Sequence, residues 1–210
     1  ARIPRGVLHW KLESPGYETY ETVGAFLYYS SQEIRRFVLE EKDSAIPGMA
    51  RISEKELFVD FEGYPTSKSY PSPSYHIDRY EVTNESFNKF IDFGGYQNPD
   101  YWKHEFIKNG QVLTWEKAMA EFCDQSGRPG PATWKGGTYP KGQEKYPVTG
   151  VCWYEAAAYA EFVGKSLPTI YHWFGAIDAL LAPYINPMSN FESSGPMPVG
   201  HYPGVGPYGL

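Results

Sequence analysis

Apolar side chains recur at helical spacing in four stretches of the chain, and three of these follow a threonine that can cap a helix. Thr83, Thr114 and Thr169 each precede such a stretch, where a hydroxyl oxygen can accept a hydrogen bond from a first-turn backbone N–H group. The fourth stretch combines helix-favouring alanines with bulky aromatic positions and ends at Gly164. The pattern predicts helices over residues 84–93, 115–122, 154–163 and 170–181.

Alternation of apolar and polar residues predicts a small β module in the first 45 residues. Two strands, over 7–12 and 17–22, flank a Ser-Pro-Gly turn, and a last strand is expected over 36–41. The run IPRGVLHWKLESPGYETYE resembles the short PEGA-type β-sandwich repeat, which occurs on extracytoplasmic or accessory segments of bacterial proteins. That resemblance implies no binding site, because a fold-level likeness by itself carries none.

From residue 46 onward short strands and helices alternate with long loops. RISEKELFVDF and YHIDRYEV are predicted strands, and PTSKSYPSPS between them is a predicted surface loop. A further extended run begins near Val148 and leads into the helix at Tyr154. Aromatic residues form 17% of the chain, with 21 Gly and 18 Pro, which favours an α+β domain with much irregular structure over a helical bundle.

Charge and hydropathy exclude two classes of partner. The formal charge is −6 with both signs scattered, so no basic stripe is available for nucleic acid or anionic lipid. No apolar run reaches the ~18 residues of a membrane span. The chain begins at Ala1 without a signal-like segment, which is typical of a piece of a longer protein, and the sequence indicates no compartment.

Cysteine and histidine positions offer little chemistry. Cys123 falls on the helix predicted after Thr114, and Cys152 falls in the extended run between Val151 and Trp153, so both are expected to be buried, inert thiols. Two cysteines are too few for a tetrahedral zinc site or a disulfide framework. The histidines are isolated, without the i, i+4 spacing of a metal-binding helix.

Several motifs in one order resemble the formylglycine-generating enzyme family, also called the sulfatase-modifying factor family. The motifs are IDRYEVTN, GGY, DYW, GRPGPATW, YPVTGVCWYEAAAYAEF, GKSLPT, SNF, GPMPVG and PYGL. Cys152 stands where the family pattern usually has Ser. The resemblance covers the first half of the family domain and implies a C-type-lectin-like fold. The family includes copper-dependent oxidases and modules appended to bacterial kinases, and this chain is most similar to the latter.

The departures from the family pattern bear on metals. The catalytic members hold copper on two cysteines that follow the PYGL segment, and neither Cys123 nor Cys152 matches those positions, so no copper is expected here. Asn190 and Phe191 match the family's calcium-binding pair. Only Glu192 follows as an acidic residue, so weak calcium binding or none is expected.

Two hypotheses for function follow. The first is a non-catalytic recognition or accessory module, in which Arg128, Trp134 and Trp153 contribute to a surface for a peptide or protein ligand. The second is the N-terminal part of an oxidase whose catalytic cysteines lie beyond residue 210. The expected domains are a PEGA-like module over 1–45 and a sulfatase-modifying-factor-like domain over 46–210 that is truncated at its C-terminus, within a larger kinase-linked bacterial protein.

Overall fold

The computed structural model describes residues 6–26, 37–59, 69–177, 182–191, 193–202 and 206–210. The chain forms two compact units, and each combines segments that are distant in sequence. The first comprises Ala1–Tyr80, Pro168–Glu192 and Tyr202–Leu210, and the second comprises Glu81–Leu167 and Ser193–His201. This grouping does not follow the predicted boundary at residue 46, and the division into modules of 1–45 and 46–210 stays a prediction.

Paired short strands build the first unit. The strands are β1 (Gly6–Leu12), β2 (Tyr20–Phe26), β3 (Met49–Ile52), β4 (Lys55–Phe58), β5 (Ser69–Ser72) and β6 (Tyr75–Asp78). All pair antiparallel: β1 with β2, β3 with β6 and β4 with β5. The predicted first hairpin is therefore present, and Gly16 supplies the left-handed conformation of its connection with φ of +84°.

Two strand predictions in this unit are wrong. Residues 37–41, the described part of the strand predicted over 36–41, form only an isolated bridge between Tyr17 and Glu41. Conversely, β5 occupies part of the predicted PTSKSYPSPS loop and pairs Tyr70 with Leu57. Pro71 is compatible with β5 because, among the described residues, β5 pairs with one strand only, and proline, which lacks an N–H group, is tolerated in edge strands.

The first unit also contains the later helices. They are α4 (Ile170–Ala176) and α5 (Ala182–Ile185), followed by a 3₁₀ turn over Asn186–Met188. Thr169 caps α4 as predicted. The helix predicted over 170–181 is too long, since Ile177 already has extended backbone angles; residues 178–181 lie outside the described residues.

An aromatic core fills the second unit. Its elements are α1 (Asn84–Asp92), a 3₁₀ turn over Pro99–Tyr101, β7 (Ile107–Lys108), β8 (Gln111–Val112), α2 (Trp115–Glu121) and α3 (Trp153–Phe162). Phe90 of α1 is fully buried and packs against the rings of Tyr96, Trp102 and Phe162. A Cβ atom at position 95 would clash with the Phe90 ring, so only glycine fits there.

The helix predictions here are confirmed within one residue, but the segments beside them differ. Thr83 caps α1, accepting a hydrogen bond from the Ser86 N–H at 3.2 Å. The extended run predicted before α3 forms no strand, but Cys152, the N-cap of α3, has extended backbone angles as predicted; Trp153 differs, because it is already the first residue of the helix. Cys123 lies beyond the end of α2 rather than on it. None of the helices in the described residues is long and apolar enough to cross a membrane.

Candidate functional site

A buried carboxylate organises the glycine-rich loop that follows α2. Asp124 is 6% exposed. Its Oδ1 accepts hydrogen bonds from the Ser126 N–H and hydroxyl at 2.7 Å and from the Arg128 N–H at 3.0 Å, and its Oδ2 accepts from the Gly137 N–H at 2.7 Å. Burial opposes ionisation of this group, but the Ser126 hydroxyl and the three N–H donors outweigh it and hold the pKa of Asp124 below its usual value. The loop is thus fastened at both ends to one side chain.

Arg128 closes the same loop. Its Nη1 donates to the Gly136 carbonyl oxygen at 2.9 Å, and the Gly136 N–H donates to the Ser126 hydroxyl at 3.1 Å. The guanidinium has five N–H donors, and this contact uses one of them. The predicted ligand-binding arginine therefore has a structural contact, and its exposed position leaves further donors for a ligand.

A groove of about 250 Å³ lies next to this loop. It is lined by Asn84, Thr133, Trp134, Pro140, Gln143, Tyr146, Pro147, Thr149, Gly195 and Pro196. Trp134 is only 2% exposed, so its indole belongs to the floor of the groove and to the aromatic core beneath. Trp134 was predicted to contact a ligand, and only the exposed edge of its ring is available for such a contact.

Asn84, the first residue of α1, connects the floor to the rim. Its Oδ1 accepts a hydrogen bond from Trp134 Nε1 at 3.2 Å, and its Nδ2 donates to the Gln143 carbonyl oxygen at 2.9 Å. Its backbone N–H donates to the Tyr146 carbonyl oxygen at 2.9 Å. Asn84 is 4% exposed, and one buried amide thus satisfies partners on both sides of the groove.

The opposite wall depends on a close approach of two backbones. The Thr133 hydroxyl donates to the Thr149 carbonyl oxygen at 2.6 Å, and the Ala132 N–H donates to the Gly150 carbonyl oxygen at 2.8 Å. Gly150 has φ of +77°, and a Cβ there would lie 2.6 Å from the Thr133 nitrogen. Only glycine fits both constraints.

Trp153 has different neighbours from the groove residues. Its side chain is 55% exposed, and its ring meets His104 edge-on with the centroids 4.6 Å apart. Arg128 contacts the loop, Trp134 the floor of the groove, and Trp153 the His104 ring. The idea that these three residues serve one ligand stays a prediction.

A buried hydrogen-bonded pair lies at the start of α3. Glu155 is 3% exposed; its Oε1 accepts from the Tyr96 hydroxyl at 2.5 Å and its Oε2 from the Cys152 N–H at 2.7 Å. Burial raises the pKa of Glu155, although these two donors counteract it. Burial and the adjacent Glu155 carboxylate also raise the pKa of Tyr96.

Neither cysteine is in the environment expected from the sequence. Cys152 is exposed and Cys123 is partly buried, so the prediction of two buried thiols is wrong. The reason is local: Cys152 stands at the N-cap of α3 rather than inside a strand. Desolvation of its thiol raises the pKa of Cys152 even so, which disfavours the thiolate that copper(I) requires. Both thiols are free, and the donors present do not fit a copper centre.

The residues expected to bind calcium lie in an exposed turn. Asn190 Oδ1 accepts a hydrogen bond from the Tyr202 hydroxyl at 3.1 Å, and Phe191 is 73% exposed. Within the described part of the chain, no three His, Cys, Asp or Glu side chains are grouped closely enough to hold a metal ion. Because a calcium site needs six or more oxygen ligands, these donors do not fit one. Weak calcium binding or none stays a prediction.

Three residues that organise the site went unrecognised in the sequence. Asp124 begins the segment Asp-Gln-Ser-Gly, a signature of turns in which an Asp side chain bonds backbone N–H groups ahead of it. Glu155 and Asn84 fall near the N-terminal ends of two predicted helices, but no role in the site was expected for either side chain. The Asp124 turn could therefore have been found from its local signature, whereas the Tyr96 partner of Glu155 and the side-chain partners of Asn84 lie 50 or more residues away in the sequence.

Comparisons with known proteins show which family this sequence resembles. Residues 38–185 match the Sulfatase-modifying factor enzyme 1-like domain family. A serine/threonine-protein kinase pkn1 of Chlamydia caviae is 31% identical over 92% of this chain and 31% of its own length. A hercynine oxygenase of Mycolicibacterium smegmatis is 33% identical over 48% of this chain and 22% of its own. A formylglycine-generating enzyme of Bos taurus is 28% identical over 53% of this chain and 32% of its own.

The chain therefore spans less than a third of the length of these relatives. The family match, in contrast, covers most of the chain and includes α1, α2, α3, the glycine-rich loop and every residue lining the groove except Gly195 and Pro196. The motif order found in the sequence and this match identify the same relationship. The chain belongs to the sulfatase-modifying factor enzyme family.

Proposed function

We propose that this chain is a non-catalytic recognition module that binds an extended peptide in the groove between Thr133 and Tyr146, within a larger kinase-linked protein. The observation that carries the proposal is the lining of the groove, which combines apolar surface with unused polar groups. Pro140, Pro147 and Pro196 present flat rings without N–H groups, and Tyr146 adds an aromatic face. Grooves that bind short peptides commonly combine such surfaces.

The polar groups of the groove suit a peptide backbone. The side-chain amide of Gln143 has no hydrogen-bond partner among the described residues, and it offers both a donor and an acceptor. Thr149 is exposed, and its hydroxyl makes only a long contact of 3.4 Å to the Thr133 hydroxyl. An extended peptide presents N–H and C=O groups in alternation, which these side chains can meet.

The loop segments that line the groove are held in place before any peptide binds. Asp124 fastens the loop before Thr133, Asn84 holds the Gln143 and Tyr146 segment, and both are buried. A preformed site loses less conformational entropy on binding than a mobile one.

The absence of catalysis rests on the thiols of this chain. The family's oxidase chemistry uses a reactive cysteine pair, whereas Cys152 has a raised pKa and Cys123 lies in a separate turn that bridges to Pro129. The kinase-linked context rests on the Chlamydia caviae relative, which is named as a protein kinase. We also propose the finer architecture that the motif order implies, a C-type-lectin-like domain preceded by a PEGA-like module.

A second candidate, the N-terminal part of a formylglycine-generating-type oxidase, is favoured by one observation. The Bos taurus relative carries that name, and this chain matches 32% of its length, so a catalytic half can follow in a parent protein. Extending the parent reading frame past residue 210 separates the two candidates. Two downstream cysteines favour the oxidase.

Peptide binding is tested with a positional library of fluorescein-labelled pentapeptides and fluorescence anisotropy. For the best-binding peptide we expect Tyr146→Ala and Gln143→Ala to weaken affinity about tenfold or more each. Tyr80→Ala, which removes a tyrosine that is 55% exposed and does not line the groove, should leave affinity unchanged. Failure of every pentapeptide to bind at about 1 mM, or equal losses in all three variants, would contradict the proposal.

The non-catalytic part has its own test. The purified, copper-loaded chain is incubated with a cysteine-containing sulfatase peptide, and mass spectrometry is used to search for the aldehyde. We expect none. Product that disappears in Cys123→Ala or Cys152→Ala would place the chemistry in this chain and overturn the proposal.

A further inference from the structure

The first unit contains a second cavity, of about 230 Å³, which the peptide groove does not involve. Arg51, Arg79 and Glu18 line it together with apolar and aromatic side chains. At ~30 Å³ per water, this volume holds about seven or eight waters, which is enough for a ligand the size of one amino acid.

Backbone pairing fixes the charged residues around this cavity. Arg51 lies on β3 opposite His76 of β6, and the Arg79 N–H donates to the Gly48 carbonyl oxygen at 3.0 Å just after β6 ends. The Glu18 N–H donates to the Glu40 carbonyl oxygen at 2.8 Å, just before β2. The three side chains thus start from hydrogen-bonded backbone on different segments of one unit.

The charges that face this cavity do not neutralise one another. Neither Arg51, Arg79 nor Glu18 forms an ion pair with any residue in the ranges that the structure describes. Glu40 also lines the cavity, but its Oε1 lies 2.9 Å from His76 Nε2 and is committed to that contact. Two guanidinium groups and one carboxylate therefore remain, each able to make strong charge-assisted hydrogen bonds.

An aromatic corner completes the lining. The rings of Tyr20 and Phe37 pack with centroids 5.9 Å apart, and both border the cavity beside Val38. Tyr20 is held in place because its hydroxyl donates to the Pro207 carbonyl oxygen at 3.1 Å. These side chains offer apolar surface to one part of a ligand while the charged groups bind another.

We propose that this cavity binds a free α-amino acid with an apolar side chain. Its carboxylate meets Arg51 and Arg79, its ammonium group meets Glu18, and its side chain packs against Tyr20 and Phe37. A purely anionic ligand would be repelled by Glu18, and a purely cationic ligand would be repelled by both arginines. A dipolar ligand satisfies both signs of charge at once, which is the reason for preferring it.

The test uses L-phenylalanine as the probe, with saturation-transfer NMR and isothermal titration calorimetry on the full chain. Two half-ligands accompany it: 3-phenylpropionate, which lacks the ammonium group, and phenethylamine, which lacks the carboxylate. We expect L-phenylalanine to bind about tenfold or more tightly than either half-ligand. Equal affinities for all three, or no binding of L-phenylalanine at about 10 mM, would overturn the proposal.

Variants make the assignment specific. Arg51→Gln should weaken binding of L-phenylalanine and 3-phenylpropionate but not phenethylamine, whereas Glu18→Gln should weaken L-phenylalanine and phenethylamine but not 3-phenylpropionate. Lys42→Gln removes a positive charge from a residue of the same unit that does not line the cavity, and it should change nothing. If Lys42→Gln lowers the affinities for L-phenylalanine and 3-phenylpropionate as much as Arg51→Gln does, the effect comes from the net charge of the protein, and the proposal fails. Far-UV circular dichroism confirms that each variant is folded.

Discussion

Replacing Asn84 with alanine tests whether the groove is held by one buried amide. The change removes the acceptor of the Trp134 Nε1–H group and the donor to the Gln143 carbonyl oxygen, and it leaves the Asn84 backbone contact to Tyr146 in place. Trp134 is 2% exposed, so water cannot readily replace the lost acceptor. We therefore expect both a loss of stability and a loosened groove.

The size of the loss follows from the two broken hydrogen bonds. An unsatisfied buried donor such as the Trp134 indole N–H costs about 1–3 kcal/mol, and loss of the bond to the partly exposed Gln143 carbonyl costs about 1 kcal/mol. The free energy of unfolding should fall by about 2–4 kcal/mol in total. This corresponds to roughly a 30- to 700-fold change in the unfolding equilibrium constant.

Asn88→Ala is the matched control. Asn88 lies on the same helix, and its amide donates to Asp92 Oδ2 at 2.6 Å in an exposed position, so alanine there gives a similar gain in helix propensity without orphaning a buried group. Urea unfolding is followed by tryptophan fluorescence, and the Trp134 indole N–H by ¹H–¹⁵N NMR. Asn84→Asp, which keeps an acceptor for Trp134, should retain more of the indole protection than Asn84→Ala. If Asn84→Ala and Asn88→Ala unfold at the same urea concentration, the amide does not hold the groove.

Three further predictions concern other groups. In Asp124→Asn an NH₂ group faces loop donors, and hydrogen exchange of the Gly137 amide should become roughly tenfold faster by mass spectrometry; an unchanged rate would refute the role given to the carboxylate. Because burial raises the pKa of Glu155 in the folded state, this side chain contributes its full stabilisation below pH 4.5, and the contribution is lost as pH rises through the folded-state pKa. In urea unfolding, the wild type should therefore lose stability relative to Glu155→Gln between about pH 4.5 and 7. A stability difference that does not change with pH would show that the pKa is not shifted, and a gain in the relative stability of the wild type with rising pH would show a lowered pKa. Calorimetry with calcium should detect no micromolar site at Asn190, and a micromolar affinity would contradict the ligand count.

Local signals in the sequence predicted the helices well. Thr83 and Thr169 cap α1 and α4, and α3 lies within one residue of its predicted position, because caps and apolar periodicity act over one or two helical turns. The same reasoning failed for Ser69–Ser72, where proline and serine indicated a loop. Pairing with β4 outweighed that local preference, because proline is tolerated in a strand that pairs with only one other strand among the described residues.

The candidate site was much less predictable. Trp134 was expected to meet a ligand, but its indole N–H donates to the side chain of Asn84, which lies 50 residues earlier in the chain. Cys152 was assigned to a strand because it lies between two apolar residues, whereas the Glu155 carboxylate accepts its N–H and α3 begins there. A hydrophobic pattern cannot indicate which distant donor an individual polar side chain will meet.

The polar residues that hold this site share a position in the fold, and that position explains how long loops keep one shape. Asn84 begins α1, Glu155 lies in the first turn of α3, and Asp124 follows three residues after α2 ends. Each side chain accepts or donates bonds to loop backbone that no strand or helix satisfies, so the helix ends fasten the loops. Because these three side chains are buried and already hydrogen-bonded, peptide binding should rearrange side chains at the rim of the groove, while the backbone of the groove moves less than about 1 Å. Backbone amide shifts confined to residues lining the groove on titration with the peptide would agree with this, and shifts spread through the aromatic core would show that the loops are not fixed in advance.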